Sequence, residues 1–187
     1  MTMLIVGVLL WATVHLAPAL APGFRQNMMD RLGREPYRGL FALLVFGTLF
    51  VIVRGWQIAP EDYVYALGPW VRPIGLLLLI AAFFLVGAAY YPTAIRRVIR
   101  HPMLIGTILW SISHLLTSGT TRGLVLFGGI GTWAVLEILM INRRDRAYTK
   151  PEAPGIRGEL TGILISGIIF MIVLFAHPYF AGVTPYP

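Results

Sequence analysis

Apolar residues in this chain come in six long blocks, separated by short segments that hold almost all of the polar and charged positions. The blocks run over roughly 2–20, 37–56, 72–91, 102–117, 122–141 and 160–180. Each approaches the ~20 residues that a helix needs to cross the hydrocarbon core of a bilayer. The pattern predicts an all-α fold, a polytopic bundle of six transmembrane helices forming a single domain over 1–187. The fourth block is short and is expected to be tilted or locally sunk. Six spans use most of the chain and leave no room for a soluble domain.

Composition agrees. Hydrophobic residues make up 57% of 187 and charged residues 12%, where a soluble domain has about 25% charged. The mean hydropathy is +0.76. The net charge of +7 would raise nucleic acid as a partner for a soluble protein. Here the charges lie between the apolar blocks, so they report orientation. The expected partner is the lipid bilayer, with no nucleic acid. Arg25, Arg31, Arg34, Arg38, Arg96, Arg97, Arg100, Arg143, Arg144, Arg146, Lys150 and Arg157 fall in the first, third and fifth loops, and only Arg54, Arg72 and Arg122 on the other side. By the positive-inside rule, both termini face outward, into the periplasm of a bacterial inner membrane. Met3 to Val14 could pass for a signal-peptide core, with Ala19-Leu20-Ala21 as a cleavage site. No positive charge precedes it, so the first block reads as a retained helix. The chain has no cysteine, which excludes disulfides, thiolate catalysis and cysteine-held iron–sulfur clusters.

Two blocks carry one pattern: Trp11-Ala-Thr-Val-His15-Leu16 and Trp110-Ser-Ile-Ser-His114-Leu115. Residues four apart share a helix face. An ionisable group inside a span is a functional-site candidate, because lipid burial is costly. Two histidines in matching contexts suggest a shared metal or haem. Histidine is a standard axial ligand, and bundles build cofactor sites from facing helices. Trp11 and Trp110 are then placed to pack on a flat macrocycle. The plainer alternative is a histidine bonding a neighbouring helix, worth about 1 kcal/mol.

Further likenesses extend the pattern. The second block reads Arg38-Gly-Leu then Gly47-Thr48, and the fifth Arg122-Gly-Leu then Gly131-Thr132. The third ends Tyr91-Pro92 and the sixth His177-Pro178. Together they suggest a three-plus-three repeat of inverted topology, with a twofold axis in the membrane plane exchanging His15 and His114. Gly, Leu and Thr are common enough in spans to imitate such a repeat.

The remaining candidates are weaker. His101, before Pro102, reads as an interfacial cap at the start of the fourth span. His177, near the outer end of the sixth, is a reserve partner for His114. Glu137 reads as an interfacial carboxylate reaching Arg143 or Arg144, with a proton relay as the lesser alternative. Phe24 to Leu32 is expected to lie as a short helix on the membrane surface. Asn142 to Gly158, with Pro151, Pro154, Gly155 and Gly158, reads as a mobile connector. No Walker, dinucleotide, HExxH or serine-triad signature occurs.

Val14-His-Leu-Ala-Pro-Ala-Leu20, Gly33-Arg-Glu-Pro-Tyr-Arg-Gly-Leu40, Arg100-His-Pro-Met-Leu-Ile-Gly106, Leu109-Trp-Ser-Ile-Ser-His-Leu-Leu116 and Phe175-Ala-His-Pro-Tyr179 resemble the NnrU family over nearly the whole chain. The resemblance implies a link to nitric oxide metabolism in denitrifying bacteria. The same domain forms plant zeta-carotene isomerase, a haem b protein that isomerises a cis double bond. By that resemblance, its haem-ligating histidines match His15 and His114. The expected function is therefore haem b binding in support of nitrite or nitric oxide metabolism. An alternative is haem-dependent cis–trans isomerisation of a carotenoid or other polyene lipid, with a hydrophobic small molecule as partner. A second alternative is a cofactor-free assembly or transport factor.

Overall fold

The structure, a computed structural model, describes residues 1–152 and 155–182. They form eight helices: α1 Thr2–Leu20, α2 Pro22–Leu32, α3 Arg34–Ile58, α4 Val71–Ala88, α5 Ile95–Val98, α6 Pro102–Thr117, α7 Thr121–Arg144 and α8 Ile156–Ala181. Helix α7 contains a π-helical turn, Leu124–Gly128. No strand occurs among the described residues, only an isolated bridge between Tyr63 and Thr120. Helices α1, α3, α4, α7 and α8 are long and apolar enough to cross a membrane. Helix α6 has 16 residues, about 24 Å at 1.5 Å per residue, which agrees with the short fourth block. The chain is a multi-pass membrane protein.

The boundaries follow local chemistry. Pro22 starts α2, in the first turn where its missing N–H costs nothing. This helix has no buried residue, as expected of a segment on a surface. Gly33, at φ 88°, occupies the left-handed region that glycine adopts without strain, and the chain breaks there into α3. Helix α4 stops at Ala88, short of the end of its apolar block, ahead of Pro92. Helix α8 begins at Ile156, so Gly158 is helical and not part of a loose connector. Pro154 of that connector lies outside the described residues.

The long helices pack in the order α3–α1–α7–α6–α4–α8, and α4 against α6 is the most extensive pairing. Small residues set the closest approaches, as expected where lipid offers no competing hydrophobic drive. A Cβ on Gly55 of α3 would stand 2.6 Å from the backbone N and Cα of Leu4 in α1. One on Gly106 of α6 would stand 2.7 Å from the carbonyl O of Ala82 in α4. Ser113 Oγ, buried in the same seam, donates to the Gly75 carbonyl at 2.8 Å.

The basic loops gather at one end. Arg100 donates to the Asp145 carbonyl, Tyr148 to that of Arg96, and Arg144 to that of Pro18 at 3.3 Å. The Arg144 guanidinium also grips the exposed Asp145 carboxylate, holding it below the usual carboxylate range. At the opposite end Arg122 pairs with Glu61 at 2.5 Å and lies 4.5 Å over the Trp56 ring. Val64 N donates to the Gly119 carbonyl at 2.7 Å there.

Exchanging α1 with α6, α3 with α7 and α4 with α8 maps the α1–α3 contact onto α6–α7, and both are extensive. The same exchange maps α4–α6 onto α1–α8 and α1–α7 onto α3–α6. Neither of those two pairs packs extensively. The likeness between the halves is local, and it is closest around the two histidines.

Candidate functional site

Each of the paired histidines is held by its own helix. His15 Nδ1 donates to the Trp11 carbonyl at 2.9 Å, and His114 Nδ1 to the Trp110 carbonyl at 2.9 Å. The carbonyl can only accept, so Nδ1 carries the proton. In a neutral ring, Nε2 then carries the lone pair. Such a bond fixes tautomer and ring orientation, as in histidines prepared for metal ligation.

The surroundings of the two rings correspond as well. His15 stacks on Trp11 with centroids 4.1 Å apart and meets Trp133 at 4.9 Å and Phe41 at 5.7 Å. His114 lies 4.8 Å from Trp110, stacks on Phe127 at 4.5 Å, and meets His177 at 6.4 Å. Trp11 and Trp110 thus each cover the histidine one turn along the same helix. Both cages lean on α7, through Trp133 for His15 and Phe127 for His114. Those two residues are six apart, a rise of about 9 Å on a helix. The structure brings His114 together with His177 and gives His15 an aromatic cage of its own, nearer the basic end.

Phe127 and Trp133 are site residues that the sequence pattern does not pick out. Trp133 had one signal, its position four residues before Glu137. Phe127 had none, since an aromatic in a span is ordinary.

The weaker candidates resolve differently. His101 occupies the N-cap position of α6, but its ring makes no capping bond. Its Nε2 instead donates to Asn142 Oδ1 at 2.8 Å, tying α6 to the end of α7. Glu137 makes no ion pair with Arg143 or Arg144 among the described residues. Arg144 directs its donors to Asp145 and Pro18. Trp11 Nε1 is buried without a hydrogen-bond partner, and the Glu137 carboxylate lies beside the Trp133 indole.

No group of three or more His, Cys, Asp or Glu that could hold a bare metal ion occurs among the described residues. Two imidazoles without further donors can serve only a group that brings its other ligands itself, as a macrocycle-bound iron does with its four equatorial nitrogens. Neutral imidazoles with Nε2 unprotonated, inside an aromatic shell, fit such a group.

No curated protein and no solved structure matches this chain. The family model described as NnrU protein matches residues 3–185. With nearly its whole length covered, spanning both histidine cages, the chain belongs to the NnrU family.

Proposed function

We propose that this protein holds haem b on His15 and His114 in the bacterial inner membrane, and supports nitrite or nitric oxide metabolism as a haem-based redox or ligand-responsive factor. The observation that carries this reading is the duplicated tether: each ring gives its Nδ1 proton to a tryptophan carbonyl one turn back. A histidine that merely joins two helices would spend its ring proton on the neighbouring helix. These two spend it on their own, which directs Nε2 away as a ligand. The family membership adds the link to nitric oxide metabolism, and the resemblance to the plant isomerase adds the haem.

Haem b, when bound, supplies one-electron chemistry and an iron that takes small diatomic ligands. The chain's own part is positioning and exclusion of water. Trp11 and Trp110 hold the imidazole planes, and Trp133 and Phe127 close the cages from α7. The buried indole N–H of Trp11 is available to an acceptor on a bound group. A visible absorption spectrum of the protein purified in detergent tests the reading. The expected result is a Soret band with reduced α and β bands of a haem b. A colourless protein from haem-replete cells would leave the cofactor-free alternative standing.

A second reading is isomerisation of a polyene lipid at the same haem. The feature in its favour is a groove of about 940 Å³ between α4 and α8, lined by apolar side chains including Ile80, Phe84, Ile168 and Phe175. Turnover of a cis-carotene by haem-loaded protein would favour this reading over the first.

The orientation belongs to the same proposal. Helix α6 joins the basic end, where His101 meets Asn142, to the opposite end, where Tyr65 Oη donates to the Leu115 carbonyl. On this reading it serves as the sixth crossing, and the basic loops place both termini in the periplasm. A reporter enzyme active only in the periplasm should be active when fused to the C-terminus and silent when inserted beside Lys150. The reverse pattern would invert the topology.

A further inference from the structure

Helix α2, Pro22–Leu32, joins two spans through single residues, Ala21 and Gly33. It packs on both of them, α1 and α3. With one residue of slack at each end it cannot leave the level at which those spans end, which in a bilayer is the headgroup layer. At about 100° per residue, Phe24, Met28 and Leu32 form a stripe covering about 80° of the helix surface. Met28 is half-buried, but Phe24 is 65% and Leu32 46% exposed. Arg31 and Arg25 flank the stripe, each about 20° beyond one edge. Gln26, Asn27 and Asp30 lie on the opposite side, and Gln26 Nε2 donates to Asp30 Oδ1 at 2.8 Å. The acidic group of α2 is therefore turned away from its arginines. Arg25 and Arg31 are exposed and make no ion pair among the described residues. Orientation in the membrane requires only that basic residues lie in this loop. It does not require them at the two edges of an apolar stripe.

We propose that α2 is a docking surface for anionic phospholipid, with Phe24 and Leu32 among the acyl chains and the Arg25 and Arg31 guanidiniums on headgroup phosphates. A helix lying in the interface places its apolar side chains below the phosphates and its basic ones level with them. The guanidinium fork matches phosphate oxygens in pairs. A zwitterionic headgroup carries its own cation beside the phosphate, so the net attraction selects lipids of negative charge.

The test is native mass spectrometry of the full-length protein in detergent, titrated with dioleoylphosphatidylglycerol or dioleoylphosphatidylcholine. The wild type should bind the phosphatidylglycerol about 10-fold more tightly, and rising salt should erase that preference. Arg25→Gln/Arg31→Gln should lose the preference while its affinity for phosphatidylcholine stays unchanged. Arg25→Lys/Arg31→Lys should keep most of it. Arg143→Gln/Arg146→Gln removes the same charge elsewhere at the basic end and should keep it fully. An unchanged melting temperature without lipid shows that each variant is folded. Equal loss in the Arg143/Arg146 variant would reduce the effect to bulk charge and overturn the inference. Equal wild-type affinity for the two lipids would also overturn it, and would leave the exposed face of α2 to an acidic protein partner. The salt dependence needs no variant, and a preference that high salt leaves intact would exclude the arginine contacts.

Discussion

Replacing His114 with alanine should cost the purified protein nearly all of its haem, a drop of at least ~10-fold in Soret absorbance per polypeptide. His114 is the more enclosed of the two proposed ligands, with Phe127, Trp110 and His177 around its ring. Its Nδ1 tether, its stacking on Phe127 and its contact with Trp110 are all lost together. His15→Ala should also lower haem retention, since His15 is the other proposed ligand. His101→Ala should keep full haem, since that ring is engaged by Asn142 at the opposite end of α6. The quantity to measure is the Soret-to-280 nm ratio after size-exclusion chromatography, which also reports on folding. A His114→Ala protein with wild-type ratio would remove the site proposed here.

A large effect on stability is expected at the glycine seams between helices. Gly55→Val forces a side chain into the backbone of Leu4, and Gly106→Val into the carbonyl of Ala82. Neither neighbour is the far end of a flexible side chain, so a whole helix has to move. Overpacking in a filled interior costs about 1–3 kcal/mol and sometimes more, and a backbone obstacle puts these two at the upper end. For a chain of this length, 3 kcal/mol corresponds to about 6–12 °C in melting temperature. Gly47→Ala is the control, because no atom lies within 4 Å of the added Cβ. It should melt close to wild type. Equal melting of Gly55→Val and Gly47→Ala in detergent would show that α1 and α3 do not approach as closely as described.

Which parts were legible in the sequence follows from the physics of each. Spans depend on the free energy of transferring apolar side chains into lipid, a property that adds up residue by residue along the chain. Five of the six blocks accordingly match the helices long and apolar enough to cross, α1, α3, α4, α7 and α8, and the fourth matches the shorter α6. The gathering of the basic loops at one end depends on where arginines stand along the chain, and was legible for the same reason. The pairing of Trp11 with His15 and of Trp110 with His114 depends only on helical spacing of four, so it too could be read from the chain.

Other features depend on which helix lies beside which, and apolar spans carry little information about their neighbours. The row α3–α1–α7–α6–α4–α8 is decided by close approach at Gly55 and Gly106 and by the Ser113 hydrogen bond. None of these stands out in a chain with 20 glycines. That order brings Phe127 and Trp133 of one helix against two different histidines. It also confines the suggested repeat to its local motif, because shared spacing within a helix does not require shared contacts between helices. Glu137 near the end of its span suggested a carboxylate reaching Arg143 or Arg144, but the Arg144 guanidinium pairs with Asp145 instead. His177 is the clearest case. In sequence it is a reserve candidate 63 residues from His114, and only the packing of α8 on α4 brings the two rings to 6.4 Å.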